Sequence, residues 1–364
     1  MLIVEGHDGP YAKVGGRRLL SFAGCDYLGL ARDREVIAAA ARALGRYGLS
    51  AGASRTTTGS SAEHRLLEEE LASWQGCDDA VLLSSGWLSD GAVASALAPE
   101  HDGVVLLGAA HPALEAAARD CGLPLERGSW PESSAGAFCG NAERFQRPLW
   151  MTDAHDLARG VAAPLADLAR RVQRDGGSLL VDDAHGVGVL GPGGRGTADR
   201  DGARGPRIVV AGTLSKALGV QGGFVAASVD LCRRIRERSP AYGGATPIPP
   251  ALAAAARVAL EVARGERGEV RRAHLGSLAR LAAERLRPLG FAGSGQEPWL
   301  SCSSGSAEAL RRLSEKLSLR GFLVPYLKYS SAHAGGFLRV SISALHESAH
   351  VEALAQAVAA EREP

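Results

Sequence analysis

Residues 208 to 227 read IVVAGTLSKALGVQGGFVAA. Ile208–Ala211 and Gly223–Ala227 are short apolar runs, the pattern of strands covered on both faces. Between them lies Thr213-Leu214-Ser215-Lys216-Ala217-Leu218-Gly219. Lys216 is one of four lysines, with Lys13, Lys316 and Lys328, and arginine carries the remaining side-chain cations among the 41 Lys and Arg residues. Arginine keeps its proton in proteins, whereas a desolvated lysine can lose it and attack a carbonyl. A lysine in this apolar, glycine-rich setting is a candidate for Schiff-base chemistry. The plainer alternative is a strand-end lysine reaching into water.

Upstream of this segment, from Ala80 onward, strand, loop and helix alternate. The expected strands are Ala80–Leu83, Gly103–Leu107, Leu149–Thr152, Ser178–Val181, Ile208–Ala211 and Gly223–Ala227, with helices at Trp87–Leu97, His111–Cys121 and Leu165–Arg174. This alternation predicts an α/β fold around a mostly parallel sheet. Before it, Tyr11–Val14 and Arg17–Phe22 flank Gly15-Gly16 as a hairpin, and Arg34–Tyr47 reads as a helix stopped by Gly48. After Ser228 helices dominate, and a compact region with strands near Phe322 and Leu338–Ile342 closes the chain. The expected division is an N-terminal segment 1–48, a large domain 49–238 and a smaller α+β C-terminal domain 239–364.

Composition narrows the function. The 364 residues suffice for a large core. The net charge of +1 gives no reason to expect nucleic acid or an anionic membrane as partner. The cysteines, Cys25, Cys77, Cys121, Cys139, Cys232 and Cys302, include no CxxC pair, so neither a zinc site nor a disulfide framework is expected. The start, MLIVEGHDGP, has no basic region leading into an apolar core, and runs such as Ala251–Ala256 are too short to span a bilayer. A soluble, cytoplasmic setting is expected, with no metal.

In parallel sheets ligands gather at the carboxyl ends of strands. The first expected strand ends in Ser84-Ser85-Gly86-Trp87, where the N–H groups of a starting helix suit a phosphate. Ser178–Val181 runs into Asp182-Asp183-Ala184-His185-Gly186, and such groups are costly at a buried strand end without a role. Gly186-Val-Gly188-Val-Leu-Gly191 matches a dinucleotide fingerprint, but it runs into Pro192-Gly-Gly instead of opening a helix, so a dehydrogenase is a poor reading. A lysine, an acid with a histidine, and a phosphate turn together meet the needs of pyridoxal 5′-phosphate: an amine for the aldehyde, an acid for the pyridine nitrogen and donors for the phosphate. Thr213, three residues before Lys216, adds a hydroxyl.

These residues resemble the α-oxoamine synthases, fold-type I pyridoxal-phosphate transferases, and most of all their biotin-pathway branch. The resemblance runs from about Asp26 to the end. It is carried by Asp26-Tyr-Leu-Gly-Leu30, Gly59 to Ala72, Ser85-Gly86-Trp87, Val181-Asp-Asp-Ala-His-Gly186, Gly212-Thr-Leu-Ser-Lys-Ala217, Thr246-Pro-Ile-Pro-Pro250 and Leu338-Arg339-Val-Ser. It implies a seven-stranded-type, mostly parallel sheet with helices on both faces. It further implies that Lys216 holds the cofactor and moves the substrate Cα proton, that Asp182 pairs with the ring nitrogen, that His185 bonds the ring hydroxyl, and that His111 stacks on the ring. Gly86, Trp87 and Thr213 would hold the phosphate, joined by Thr246 from the neighbouring subunit of a homodimer with shared sites. Arg339 would clamp the amino-acid carboxylate, with Cys25 beside it. The implied reaction is the decarboxylative condensation of a small amino acid with an acyl thioester, on coenzyme A or a carrier protein, to give an α-amino ketone. A glycine acetyltransferase, a secondary-metabolite acyltransferase of the same family, and a catalytically degraded binding protein are the alternatives.

The chain departs from the family pattern at three places. Cys25 and Asp90 stand where asparagine is usual, and Thr152-Asp-Ala-His-Asp-Leu-Ala-Arg-Gly160 differs from the family's segment there. The family serine that assists the ring hydroxyl falls on Leu157, with His155 as its possible substitute.

Overall fold

The computed structural model describes residues 2–130, 142–328 and 335–362; Cys139 lies outside them. The chain divides into two compact units. One comprises Leu30–Ala154 and Ala163–Gly268, the other Met1–Gly29, His155–Ala162 and Glu269–Pro364.

The larger unit is built on a seven-stranded sheet in the order Asp79–Leu83, Gly223–Ala227, Ile208–Thr213, Ser178–Asp182, Pro148–Asp153, Gly103–Leu107, Leu125–Gly128. Six strands share one direction. Gly223–Ala227 runs antiparallel to both its neighbours, because only the short Leu214–Gly222 loop joins it to the preceding strand, and a parallel return needs a long crossover. Alternate residues of each strand feed two separate cores. Val104, Leu106, Leu149, Met151, Leu180 and Val209 pack with the helices Gly86–Leu97 and Pro112–Asp120. Val105, Leu107, Trp150, Leu179, Val181 and Val210 pack against the helix Leu165–Asp175. The sheet is therefore covered on both faces, which is why its strands read as unbroken apolar runs. The fold class expected from sequence, a fold-type I α/β transferase, is borne out. The edge strand Leu125–Gly128 is not legible in sequence, since Leu125-Glu-Arg-Gly128 is half-exposed and lacks the apolar signature.

The smaller unit holds a four-stranded sheet, Val4–Asp8, Tyr11–Val14, Arg17–Ser21 and Phe322–Leu323, and a three-stranded one, Trp299–Cys302, Phe337–Ser341 and Tyr326–Leu327. The compact units do not follow the expected boundaries at 48 and 238. The hairpin continues through the parallel pairing of Leu20 with Phe322, which ties the chain start to its last hundred or so residues. The helix Pro250–Arg264 lies against Arg34–Tyr47 and Ala62–Gln75 within the larger unit, where Arg257 pairs with Glu63 at 2.9 Å and Glu70 at 2.8 Å.

His346 fastens the smaller unit. Its ring stacks on Phe22 at 4.4 Å, its Nδ1 accepts the Ser343 N–H at 2.9 Å and its Nε2 faces the Ser21 carbonyl at 3.0 Å. The neutral Nε2–H tautomer satisfies both partners. Burial pushes the imidazole down to about 4 from an ordinary 6.5. A histidine with a depressed folded value contributes stability that is present above pH 6.5 and lost as the pH falls toward 4. Urea unfolding of wild type and His346→Gln across that window is expected to show the wild type losing about 3 kcal/mol more than the variant. Parallel curves would refute a buried neutral His346.

Candidate active site

The carboxyl ends of the central strands bring the chemistry together. Asp182 ends its strand and lies in register with Asp153 on one side and Ala211 on the other. Its Oδ1 accepts the Ala184 N–H at 2.9 Å, which fixes the carboxylate at the turn. Asp153 Oδ2 accepts the His111 N–H at 2.7 Å. His111 is the N-cap of the helix Pro112–Asp120, with its Nδ1 accepting from Ala113 N at 3.2 Å. Burial lowers the His111 proton affinity, with Asp182 opposing and Lys216 adding to the effect. His111 thus lies where the charges of both Asp182 and Lys216 reach it. His185 follows in the turn after Asp182, half-buried.

Asp183, adjacent in sequence, has a different task. It is fully buried and its carboxylate accepts from Thr197 Oγ1 at 2.6 Å and from Ala198 N at 3.1 Å. Burial raises it to about 6 despite these bonds. It anchors the loop that leads into Thr197–Arg200. The segment with the dinucleotide-like spacing turns there and opens no long helix: the stretch after it is a single turn, Pro192–Gly194.

Lys216 sits in a tight loop closed by Leu214 N–H to Gly222 O at 3.0 Å, Val220 N–H to Leu214 O at 2.9 Å and Gly219 N–H to Lys216 O at 3.0 Å. Gly219 has φ +69°, and a Cβ there would stand 2.2 Å from Ala31 N, so only glycine suits the turn. The loop lies beside the phosphate-type turn: a Cβ on Gly86 would come within 2.9 Å of the Thr213 Cβ and Oγ1. Ser85, the N-cap of the helix Gly86–Leu97, makes no side-chain cap bond; the Leu88 N–H goes to the Ser85 carbonyl at 3.2 Å, and the Gly86 and Trp87 N–H groups are left for an external acceptor. Trp87 is half-exposed and edge-on to His111 at 6.1 Å.

Thr213 differs from a simple phosphate donor. Its hydroxyl hydrogen goes to the Gly222 carbonyl at 2.9 Å, and the same oxygen meets the Ser215 Oγ at 2.8 Å. Ser215 is exposed and gives its own hydrogen to Thr213 Oγ1, from which it can turn toward an external acceptor. Thr246 is exposed too, and its carbonyl accepts the Ser84 hydroxyl at 2.7 Å.

Arg339 and Cys25 belong to the smaller unit, where they meet: Arg339 Nη2 lies 3.5 Å from Cys25 Sγ. Arg339 is buried in the strand Phe337–Ser341, opposite Ser301. In the segment that departs from the family pattern, His155 is buried edge-on against Trp299 at 4.9 Å. The Asp156 Oδ1 accepts from Ala158 N and Arg159 N, each at 3.0 Å, and the Leu157 carbonyl accepts the Ser301 hydroxyl. These residues form a packed turn of that unit.

A glycine cradle against Thr213, an uncapped helix start and a lysine coupled to an acid and a histidine fit pyridoxal phosphate in all three of its recognised parts. Fold and site together define a fold-type I pyridoxal-phosphate enzyme. The matching family model is aminotransferase class I and II, over residues 17–358. The 8-amino-7-oxononanoate synthase of Methylococcus capsulatus is 37% identical over 366 residues, 98% of this chain and 92% of that protein. That of Methylorubrum populi is 37% identical over 351 residues, 96% and 86% of the two chains. Among solved structures, a serine palmitoyltransferase from S. paucimobilis superposes with a TM-score of 0.90 at 24% identity, covering 99% of this chain and 92% of that one. An 8-amino-7-oxononanoate synthase from Francisella tularensis gives 0.78 at 21% identity, covering 94% and 97%. The chain belongs to the α-oxoamine synthase family.

Replacing Gly86 by Ala is expected to weaken pyridoxal-phosphate binding by about tenfold or more and to cost about 1–3 kcal/mol in overpacking against Thr213. Absorbance titration of the cofactor and denaturant unfolding read the two effects. Wild-type affinity in Gly86→Ala would contradict the phosphate assignment.

Proposed function

We propose that this chain is an acyltransferase of the 8-amino-7-oxononanoate synthase type. It would join a small amino acid to an acyl thioester, forming a bond between the amino-acid Cα and the thioester carbonyl carbon, and release CO₂ and the thiol. The gathering of Asp182, the Asp153-held His111 and the Lys216 loop at the carboxyl ends of neighbouring strands supports this reading, together with full-length relatives that bear that name.

When bound, pyridoxal phosphate supplies an electron sink for the negative charge that develops at the substrate Cα. Lys216 Nζ would hold the aldehyde and then take the Cα proton. Asp182, oriented by the Ala184 N–H, would keep the ring nitrogen protonated. His111 would cover one ring face, and His185 would bond the ring hydroxyl. Gly86 and Trp87 N–H groups with the Ser215 and Thr213 hydroxyls would hold the phosphate. Arg339, a planar two-pronged donor, suits a substrate carboxylate, and Cys25 beside it would shape that pocket. The exposure of Thr246 supports a homodimer in which this hydroxyl reaches the partner's site. No described helix is long and apolar enough to cross a membrane, and a cytoplasmic enzyme of biotin synthesis is the setting this reading supports.

Glycine, alanine and serine, each paired with acyl-CoA and acyl-carrier-protein thioesters, should show stoichiometric release of thiol and CO₂ for one amino acid. Thiol release without CO₂ would exclude the decarboxylative condensation. A two-carbon acyl preference with glycine would favour the glycine-acetyltransferase alternative. Lys216→Ala should lower turnover by on the order of 10²–10⁴, the range for losing a positioned proton-transfer group, and a loss under tenfold would contradict its role.

A further inference from the structure

Asp90 presents a buried carboxyl with no ordinary partner. It lies in the helix Gly86–Leu97 and is 1% exposed. Neither of its oxygens accepts a hydrogen bond from a donor among the described residues. Its side chain instead lies within hydrogen-bonding reach of the Asp182 carboxyl. Two carboxylates cannot bond each other, since each only accepts, whereas a carboxylic acid and a carboxylate can. The charged groups facing Asp90 are Asp182 and Asp153 from the neighbouring strands and Lys216 from the loop after Thr213. Two of the three are anions, and the cation's influence is the smallest.

We propose that Asp90 is held as a neutral carboxylic acid whose O–H donates to the Asp182 carboxylate, so that Asp90 is a positioning residue for the acid that meets the cofactor ring. Asp182 then has one oxygen fixed by the Ala184 N–H and its carboxylate plane fixed by Asp90. An apolar burial site and an adjacent like charge both raise a carboxyl's proton affinity, burial being the larger cause here. The same combination keeps an acid neutral at physiological pH in other active sites. The role of Asp182 toward the ring rests on the function proposed above, but the protonation of Asp90 does not.

The first test is the stability of the full chain without added cofactor, wild type against Asp90→Asn, as a function of pH. The folded state of the wild type binds a proton at Asp90 that the unfolded chain has released above the ordinary carboxyl range. Wild-type stability should therefore fall relative to Asp90→Asn as pH rises above about 4, by about tenfold in the folding equilibrium per pH unit. Parallel profiles would overturn the proposal. The infrared carbonyl band of a protonated carboxyl, persisting in wild type above the ordinary carboxyl range and missing from the Asp90→Asn spectrum by difference, reads the same proton directly; no difference band at any pH above that range would also overturn it. In the holoenzyme, Asp90→Asn should keep cofactor affinity within about threefold, because the amide still donates. Asp90→Ala should lose about tenfold and shift the pH titration of the cofactor absorbance. Equal behaviour of the two variants would overturn the positioning role. A wild type that binds no pyridoxal phosphate would instead sink the function proposed above, while the stability profiles still decide the state of Asp90.

Discussion

The constraint on which the structure depends is the placement of charge at the carboxyl edge of an otherwise apolar sheet. Asp153 and Asp182 stand in register on neighbouring strands, and Lys216 follows the next strand in the sheet. The strand interiors beneath them are buried on both faces. The charged groups at that edge are partly withdrawn from water, and each does better with a partner. Asp153 finds the His111 N–H, Asp182 the Ala184 N–H, and Asp183 the Thr197–Ala198 backbone and hydroxyl. The scaffold is thus a set of rigid apolar rods with chemistry confined to their tips. That arrangement lets one fold hold several catalytic groups in fixed mutual positions.

Glycine serves the same constraint from the other side. At Gly86 and Gly219 the backbone comes so close to Thr213 and to Ala31 that a single methyl would displace the loop. Gly86 opens the helix beside Thr213 and Gly219 closes the Lys216 loop, so both lie at the proposed cofactor site. The smaller unit answers a different demand. Its hairpin and C-terminal strands share a sheet, and the buried His346 and Arg339 sit among aromatic and apolar neighbours. In that unit Cys25 lies at the Arg339 guanidinium, where its soft thiol offers a far weaker hydrogen-bond partner than an amide or carboxylate.

Much of this was legible in the sequence, for a physical reason. Strands covered on both faces are apolar throughout, so Gly103–Leu107 is readable to the residue and Ser178–Asp182 to within one. The helix Arg34–Tyr47 is also readable to the residue, because Asp33 caps it and Gly48 stops it. Asp182 and His185 stand out in the sequence because ionisable groups at the end of a buried strand are costly, and Lys216 because lysines are scarce and its setting is apolar; His111 is legible only through the family resemblance. What stayed hidden depends on contacts between distant segments. The placing of Gly223–Ala227 between Ile208–Thr213 and Asp79–Leu83 brings together strands far apart in the chain. The joining of residues 1–29 to the C-terminal part follows from a two-residue pairing that no local pattern announces. Asp90 is visible in sequence only as a departure from the family asparagine, and its burial beside Asp182 is what gives that departure a physical meaning. The hydrogen-bond chain from Ser215 through Thr213 to the Gly222 carbonyl likewise depends on the folded loop.

The proposed chemistry turns on Lys216 as the residue that would carry pyridoxal phosphate. Borohydride reduction of the cofactor-loaded protein, followed by peptide mass mapping, is the decisive measurement. A single reduced adduct is expected, on the peptide containing Thr213 to Gly219, lost in Lys216→Ala. An adduct on Lys13, Lys316 or Lys328 in place of Lys216, or no adduct at saturating cofactor, would contradict it.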